Sequence, residues 1–315
     1  MTVIDRPPAP GPRPTPRSRS AAPTGSGPLG LVRRHPLLSF FVLANALSWL
    51  AWIPYILSTS GLGVWDLEFP ALLGTTQLLG VLPGAYLGPI GSALLVTAIV
   101  DGRAGLRSWA GRLLRWNVSW RWYAVSLLTV PAALLLAGLV FSGGEIQAPS
   151  ATVLIAYVPV LILQVLTTGL AEEPGWRDFA LSRMQHRYGP LRSAFVLGPL
   201  WGAWHLPLFL TEWGGWPEAD WSRPVVFLIF CVAFNVVMSW VFNRTGESLP
   251  LSMLMHAGLN TFASTLAVEM FPGLDAERSL LSMTVAAVIA ATALLITTRG
   301  RLGFRGAEGE LGSRP

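Results

Sequence analysis

The chain contains no lysine; all 22 of its basic residues are arginine. It contains one cysteine, Cys231, which excludes an intrachain disulfide and reads as a packing residue in an apolar run. It is also short of charge. Only 12% of its 315 residues are charged, where a soluble domain carries about 25%. Hydrophobic residues make up 52%. They recur in runs of about 20, the length a helix needs to cross the hydrocarbon core. The alternation of outer-membrane barrel strands is missing. These absences exclude a soluble domain, a disulfide scaffold and a β-barrel, and leave an all-α, polytopic helical membrane protein of one domain. The formal net charge of +5 then reflects topology, and no nucleic-acid partner is expected.

Residues 1–35 are rich in Pro, Arg, Ser and Gly and have no apolar core to bury, so a disordered cytoplasmic tail is expected. The first apolar run begins only near Leu37, so no signal-peptide pattern is expected. About eight transmembrane helices are predicted, at 37–58, 80–100, 122–142, 151–171, 193–210, 224–243, 249–268 and 279–298. They form a membrane domain over 36–298, followed by a second cytoplasmic tail over 299–315. The arginines support the count. With the N-terminus inside, 20 of the 22 fall on inside segments and only Arg223 and Arg278 fall outside. The outside loops are acidic, with Asp66, Glu68, Glu145, Glu212, Glu269 and Asp275 among them. Both termini are therefore expected in the cytoplasm. Arginine in place of lysine, with abundant Gly, Pro and Ala, suggests a GC-rich bacterial genome and a multi-pass protein of the inner, plasma membrane.

Phe69–Val100 is too long for one straight span and is broken at Pro83, Gly84, Gly88 and Pro89. A kinked or re-entrant entry is expected there. Beyond it, Leu106, Trp109, Leu113 and Trp116 recur at helical spacing opposite arginines, the pattern of an interfacial amphipathic helix. The 14 tryptophans fall mostly near span ends and read as interfacial belts.

Charge inside a span is costly, and an ionisable residue there is functional by default. The stretch "LTTGLAEEPGWRDFALSRM", 166–184, carries Glu172, Glu173 and Arg177 at the end of an apolar run. It stays compatible with helix until Gly189-Pro190, a turn signal, so a kinked helix that keeps Glu172 inside is expected. In a hairpin turning at 188–189, Glu172 lies level with residue 205, which is His205 in "LWGAWHLPLFL". The seventh span adds His256 and Asn260 at i, i+4, on one face. Glu173 and Arg177, also i, i+4, can form an ion pair. That leaves Glu172, turned about 100° away, to face a cavity. Arg177 could equally be an inside-loop charge. His35 and His186 lie in basic loops and read as solvated.

With these residues in place, the chain resembles the CPBP family of CAAX-protease and bacteriocin-processing intramembrane proteases. "EEPGWR" resembles its EExxxR motif, "WGAWH" its FxxxH motif and "HAGLN" its HxxxN motif, in order and in three spans. The family core would cover about 151–268. Trp201 stands where the family usually has Phe. The resemblance implies an intramembrane endopeptidase acting on a membrane-associated peptide or lipidated protein. Glu172 and His205 would activate water, and His256 and Asn260 would stabilise the oxyanion. Glu173 and Arg177 would give structural support. No cofactor is then required. The alternative is Zn²⁺ on Glu172, His205 and His256, although an HExxH signature is missing. A non-catalytic immunity or scaffold protein and a proton path are the competing classes. The proton path is least favoured, because no inverted repeat is visible.

Overall fold

The computed structural model describes residues 27–218 and 220–305, so most of the expected N-terminal tail lies outside the described residues. Among the described residues every regular element is a helix. They are α1 (Pro28–Arg34), α2 (Pro36–Leu57), α3 (Gln77–Val100), α4 (Gly102–Leu113) and α5 (Trp120–Phe141). Then come α6 (Ala151–Tyr188), α7 (Pro190–Leu210), α8 (Ser222–Arg244), α9 (Leu249–Ser264), α10 (Leu266–Met270) and α11 (Ala276–Thr298). Seven of these, α2, α3, α5, α6, α7, α8 and α11, are long and apolar enough to cross a membrane. The protein is a multi-pass helical membrane protein.

The predicted count of eight long spans needs one correction. The span expected over 249–268 is α9, only 16 residues long, followed by the five-residue α10. The physical reason is enclosure. Leu249, Leu251, Met255 and Leu259 of α9 are buried, and the helix packs against α5, α6 and α8. A helix surrounded by protein need not match the bilayer's thickness.

The doubtful stretch before residue 100 is one continuous helix, α3, entered from an irregular segment. It is widened into a π turn over Tyr86–Ile90, where Pro89 sits. Its glycines let α2 approach. A Cβ on Gly88 would lie 1.9 Å from Ser48 Oγ, and one on Gly84 would lie 2.3 Å from Trp52 Nε1. The closeness lets the Ser48 hydroxyl donate to the Gly84 carbonyl and the Trp52 indole to the Val81 carbonyl, both at 2.7 Å.

The predicted amphipathic helix is α4, with no buried residue; it carries Leu106, Trp109 and Leu113 but ends before Trp116. Its Arg112 forms an ion pair with Asp178 of α6. Helix α6 is 38 residues long, or about 57 Å at 1.5 Å per residue. It runs on through Pro174, as expected, but not as regular α-helix. Two π segments, Val165–Gly169 and Pro174–Leu181, flank the α turn Leu170–Glu173. The wide turn accommodates Pro174, which has no N–H to donate. Gly189, at φ +78°, then reverses the chain into α7 at Pro190.

Helix α7 packs on α8, and α8 on α11. Leu154, Ile155, Val158 and Ile162 of α6 are exposed on the outer face, where lipid would cover them. Not every tryptophan belongs to a belt. Trp52, Trp176, Trp201 and Trp204 are buried in the core, with ring centroids of Trp52 and Trp204 4.9 Å apart and of Trp176 and Trp204 5.8 Å apart.

Candidate active site

Glu172 and Glu173 sit on the α turn between the two π segments, and their side chains part. Glu173 is fully buried. One of its oxygens, Oε2, accepts from Arg177 Nε at 3.0 Å; the other, Oε1, pairs with His256 Nδ1 at 2.8 Å. Glu172 turns the other way. It lines a cavity of about 440 Å³ together with His205, His256 and Asn260. Its Oε2 accepts a hydrogen bond from the Trp201 indole Nε1 at 2.8 Å. Residues 172 and 205, predicted to lie at one depth, face this one space. Gln164, Thr168, Trp204, Trp213 and Phe227 complete much of its wall.

Each histidine is held at Nδ1. His205, just after the α-helical part of α7, has Nδ1 3.0 Å from the Trp201 carbonyl oxygen one turn earlier. A carbonyl only accepts, so Nδ1 carries the hydrogen, and Nε2 of the neutral ring is left as the acceptor. The ring also stacks on Trp213, with centroids 5.4 Å apart and planes at 14°. His256, on α9, is tied through Nδ1 to the Glu173 carboxylate. Asn260, one turn further along α9, lines the same cavity.

Arg177 is wholly buried, so it is not an inside-loop charge. Besides Glu173, it donates through Nη1 to Asn235 Oδ1 on α8, and Asn235 Nδ2 donates to the Ala194 carbonyl at 2.6 Å. The guanidinium also lies 5.2 Å from the centre of the Trp201 ring. Asn235 was missed in the sequence. Its signal was an amide alone in the apolar run "FCVAFNVVMSW", where a polar side chain must find a partner in the bundle. The Trp201 N–H was missed too, because the residue was read only as an aromatic.

A zinc ion would need several donors converging on one point. Among the described residues no three His, Cys, Asp or Glu side chains are grouped that way. Glu172 Oε2 is engaged by Trp201 and both histidine Nδ1 atoms are engaged, which leaves Glu172 Oε1 and the two Nε2 atoms to the cavity. Glu172, His205 and His256 line one cavity without forming such a group.

Comparison with known proteins matches the same part of the chain. Residues 154–262 match the family described as type II CAAX prenyl endopeptidase Rce1-like, a range that contains all six site residues. The chain is 25% identical over 167 residues to "CAAX prenyl protease 2" of Methanococcus maripaludis. That match covers 52% of this chain and 58% of the relative, so the chain spans a little over half the relative's length. Over residues 154–262, with three motifs in order on three helices around one cavity, this multi-pass protein is similar to the CAAX prenyl endopeptidases.

Proposed function

We propose that the protein is an intramembrane endopeptidase that hydrolyses a peptide bond with a water activated by Glu172 and His205. The observation that carries this reading is the convergence of Glu172, His205, His256 and Asn260 on one cavity. Glu172 takes a proton from the water as the oxygen attacks the carbonyl carbon. His205, with Nδ1–H on the Trp201 carbonyl, offers Nε2 to the water's second hydrogen. The carbonyl oxygen becomes an oxyanion. Asn260 donates to it through its amide, and His256 through Nε2 of the protonated ring whose other nitrogen rests on Glu173. Donors fixed in advance in a water-poor site are most effective against such a charge. Glu172 then gives its proton to the departing amine, and the C–N bond breaks.

In this reading no metal takes part, and cleavage survives chelation. The substrate is a membrane-associated or lipidated peptide, since the cavity lies among helices apolar enough to cross a membrane. The protein resides in the bacterial inner membrane with both termini in the cytoplasm. The test uses purified full-length protein in detergent and a library of lipidated and transmembrane peptides, with products followed by mass spectrometry. Glu172→Gln is expected to lower cleavage roughly 10²–10⁴-fold, the usual range for a general base, while the thermal unfolding curve stays intact. Wild-type cleavage that is lost with chelator and restored by zinc would overturn the metal-free mechanism. Cellular function that survives Glu172→Gln would overturn the enzyme.

A further inference from the structure

Trp201 has one polar side-chain atom, and that atom is spent on Glu172. The indole is buried, with 2% of its surface exposed. Its Nε1 lies 2.8 Å from Glu172 Oε2, the only side-chain hydrogen bond that Glu172 makes among the described residues. The ring is fixed on all sides. Arg177 lies 5.2 Å from its centre, the His256 ring meets it edge-on at 5.4 Å, and Phe234 lies at 6.4 Å. The backbone of the same residue accepts from His205 Nδ1. One residue of α7 thus touches both groups assigned to the water, through its side chain and its carbonyl.

An indole N–H can only donate, so the bond fixes what Glu172 can do. The engaged Oε2 is an acceptor in either protonation state of the carboxyl. The proton that comes and goes is therefore confined to Oε1. A carboxyl free to rotate would present either oxygen. We infer that Trp201 is a positioning residue whose indole N–H locks the Glu172 carboxyl in one orientation and assigns proton transfer to its Oε1. This rests on the proposed role of Glu172 as base. It adds a donor that a phenylalanine ring of similar packing would lack.

The experiment uses the full-length protein in detergent with ¹⁵N-labelled tryptophan indoles. In an indole N–H correlation spectrum, the peak that vanishes in Trp201→Phe is that of Trp201. In Glu172→Ala, which leaves Trp201 in place, this peak is expected to move upfield. The Trp204 peak, whose N–H donates to Ser48 at 2.7 Å, is expected to stay. In the peptide assay Trp201→Phe is expected to lower kcat roughly 10- to 100-fold, the rate equivalent of a hydrogen bond to a charged acceptor. KM is expected to stay within about twofold, because the bond orients the base and not the substrate. A Trp201 peak that does not move in Glu172→Ala overturns the hydrogen bond, and this arm needs no activity; should Trp201→Phe fail to fold, Trp201→Tyr gives the same assignment. A moving peak with unchanged kcat in Trp201→Phe overturns the positioning role and leaves the peptidase standing. A wild type that cleaves nothing in the library, with Glu172→Gln functional in cells, overturns the peptidase reading itself.

Discussion

Arg177 is a charged side chain with no exposed surface, and its charge is met on two helices. Glu173 lies one turn before it, and Asn235 reaches it from α8. A buried ion is tolerated when its partners are in place, and removing one partner strands the other. Arg177→Met should therefore leave Glu173 with His256 alone and cost about 3–5 kcal/mol of stability. Asn235→Leu should cost less, about 1–3 kcal/mol, because it leaves a neutral carbonyl, that of Ala194, and one guanidinium N–H unpaired. Chemical denaturation in detergent checks both, and equal losses would contradict the ranking. The pairing of Glu173 with Arg177 was legible from i, i+4 spacing, and so was the turning of Glu172 to the other side. The third partner was not. Asn235 lies 58 positions along the chain from Arg177, and no local pattern links a lone amide to a distant arginine. The bond from Glu173 to His256 was hidden for the same reason, with 83 positions between its partners.

At the scale of the helix, the close pairing of α2 with α3 depends on three residues without a side chain, Gly80, Gly84 and Gly88. Gly88→Val would drive its Cβ into Ser48 Oγ. Neither helix can yield easily, because Ser48 also receives the Trp204 indole hydrogen bond. The expected result is a marked fall in melting temperature and in the yield of folded protein. Gly111→Ala, where a Cβ meets open space, should change neither. A tolerated Gly88→Val would mean that α2 and α3 are not packed as described. The turn at Gly189-Pro190 was plain in the sequence, because both residues restrict the backbone strongly. The two π segments of α6 were not. An inserted residue in a uniformly apolar run shifts the phase of the pattern without breaking it, so "VLTTG" reads as helix of either kind. These segments set the direction in which Glu172 and Glu173 leave the helix. The polar residues that line the cavity could thus be named from the sequence, but the frame that aims them could not.

For the molecule as a whole, the arginines make the topology testable by a single protease. Trypsin has only arginine to cut, since lysine is absent. In inside-out vesicles it should cut between 102 and 121 and in the loop around Arg187 and Arg192. In right-side-out vesicles only Arg278 should be cut, because Arg223 precedes Pro224, a bond that trypsin leaves intact. Fragments from cuts between 102 and 121 in right-side-out vesicles would invert the assignment. The helical membrane class was legible because hydrophobic runs and scarce charge are properties of the whole chain. The length of α9 was not, since hydropathy cannot tell a helix bathed in lipid from one sheathed in protein.

Cys231 lies wholly inside the bundle on α8. Together with the missing lysines, this leaves no reactive thiol at the surface and no side-chain amine anywhere in the chain. To maleimides and succinimidyl esters the folded molecule is close to inert, apart from its N-terminal amine. A single cysteine placed at Thr168, in the cavity wall, would therefore be read against almost no background. Its rate of modification would measure how often water-borne reagents enter the site.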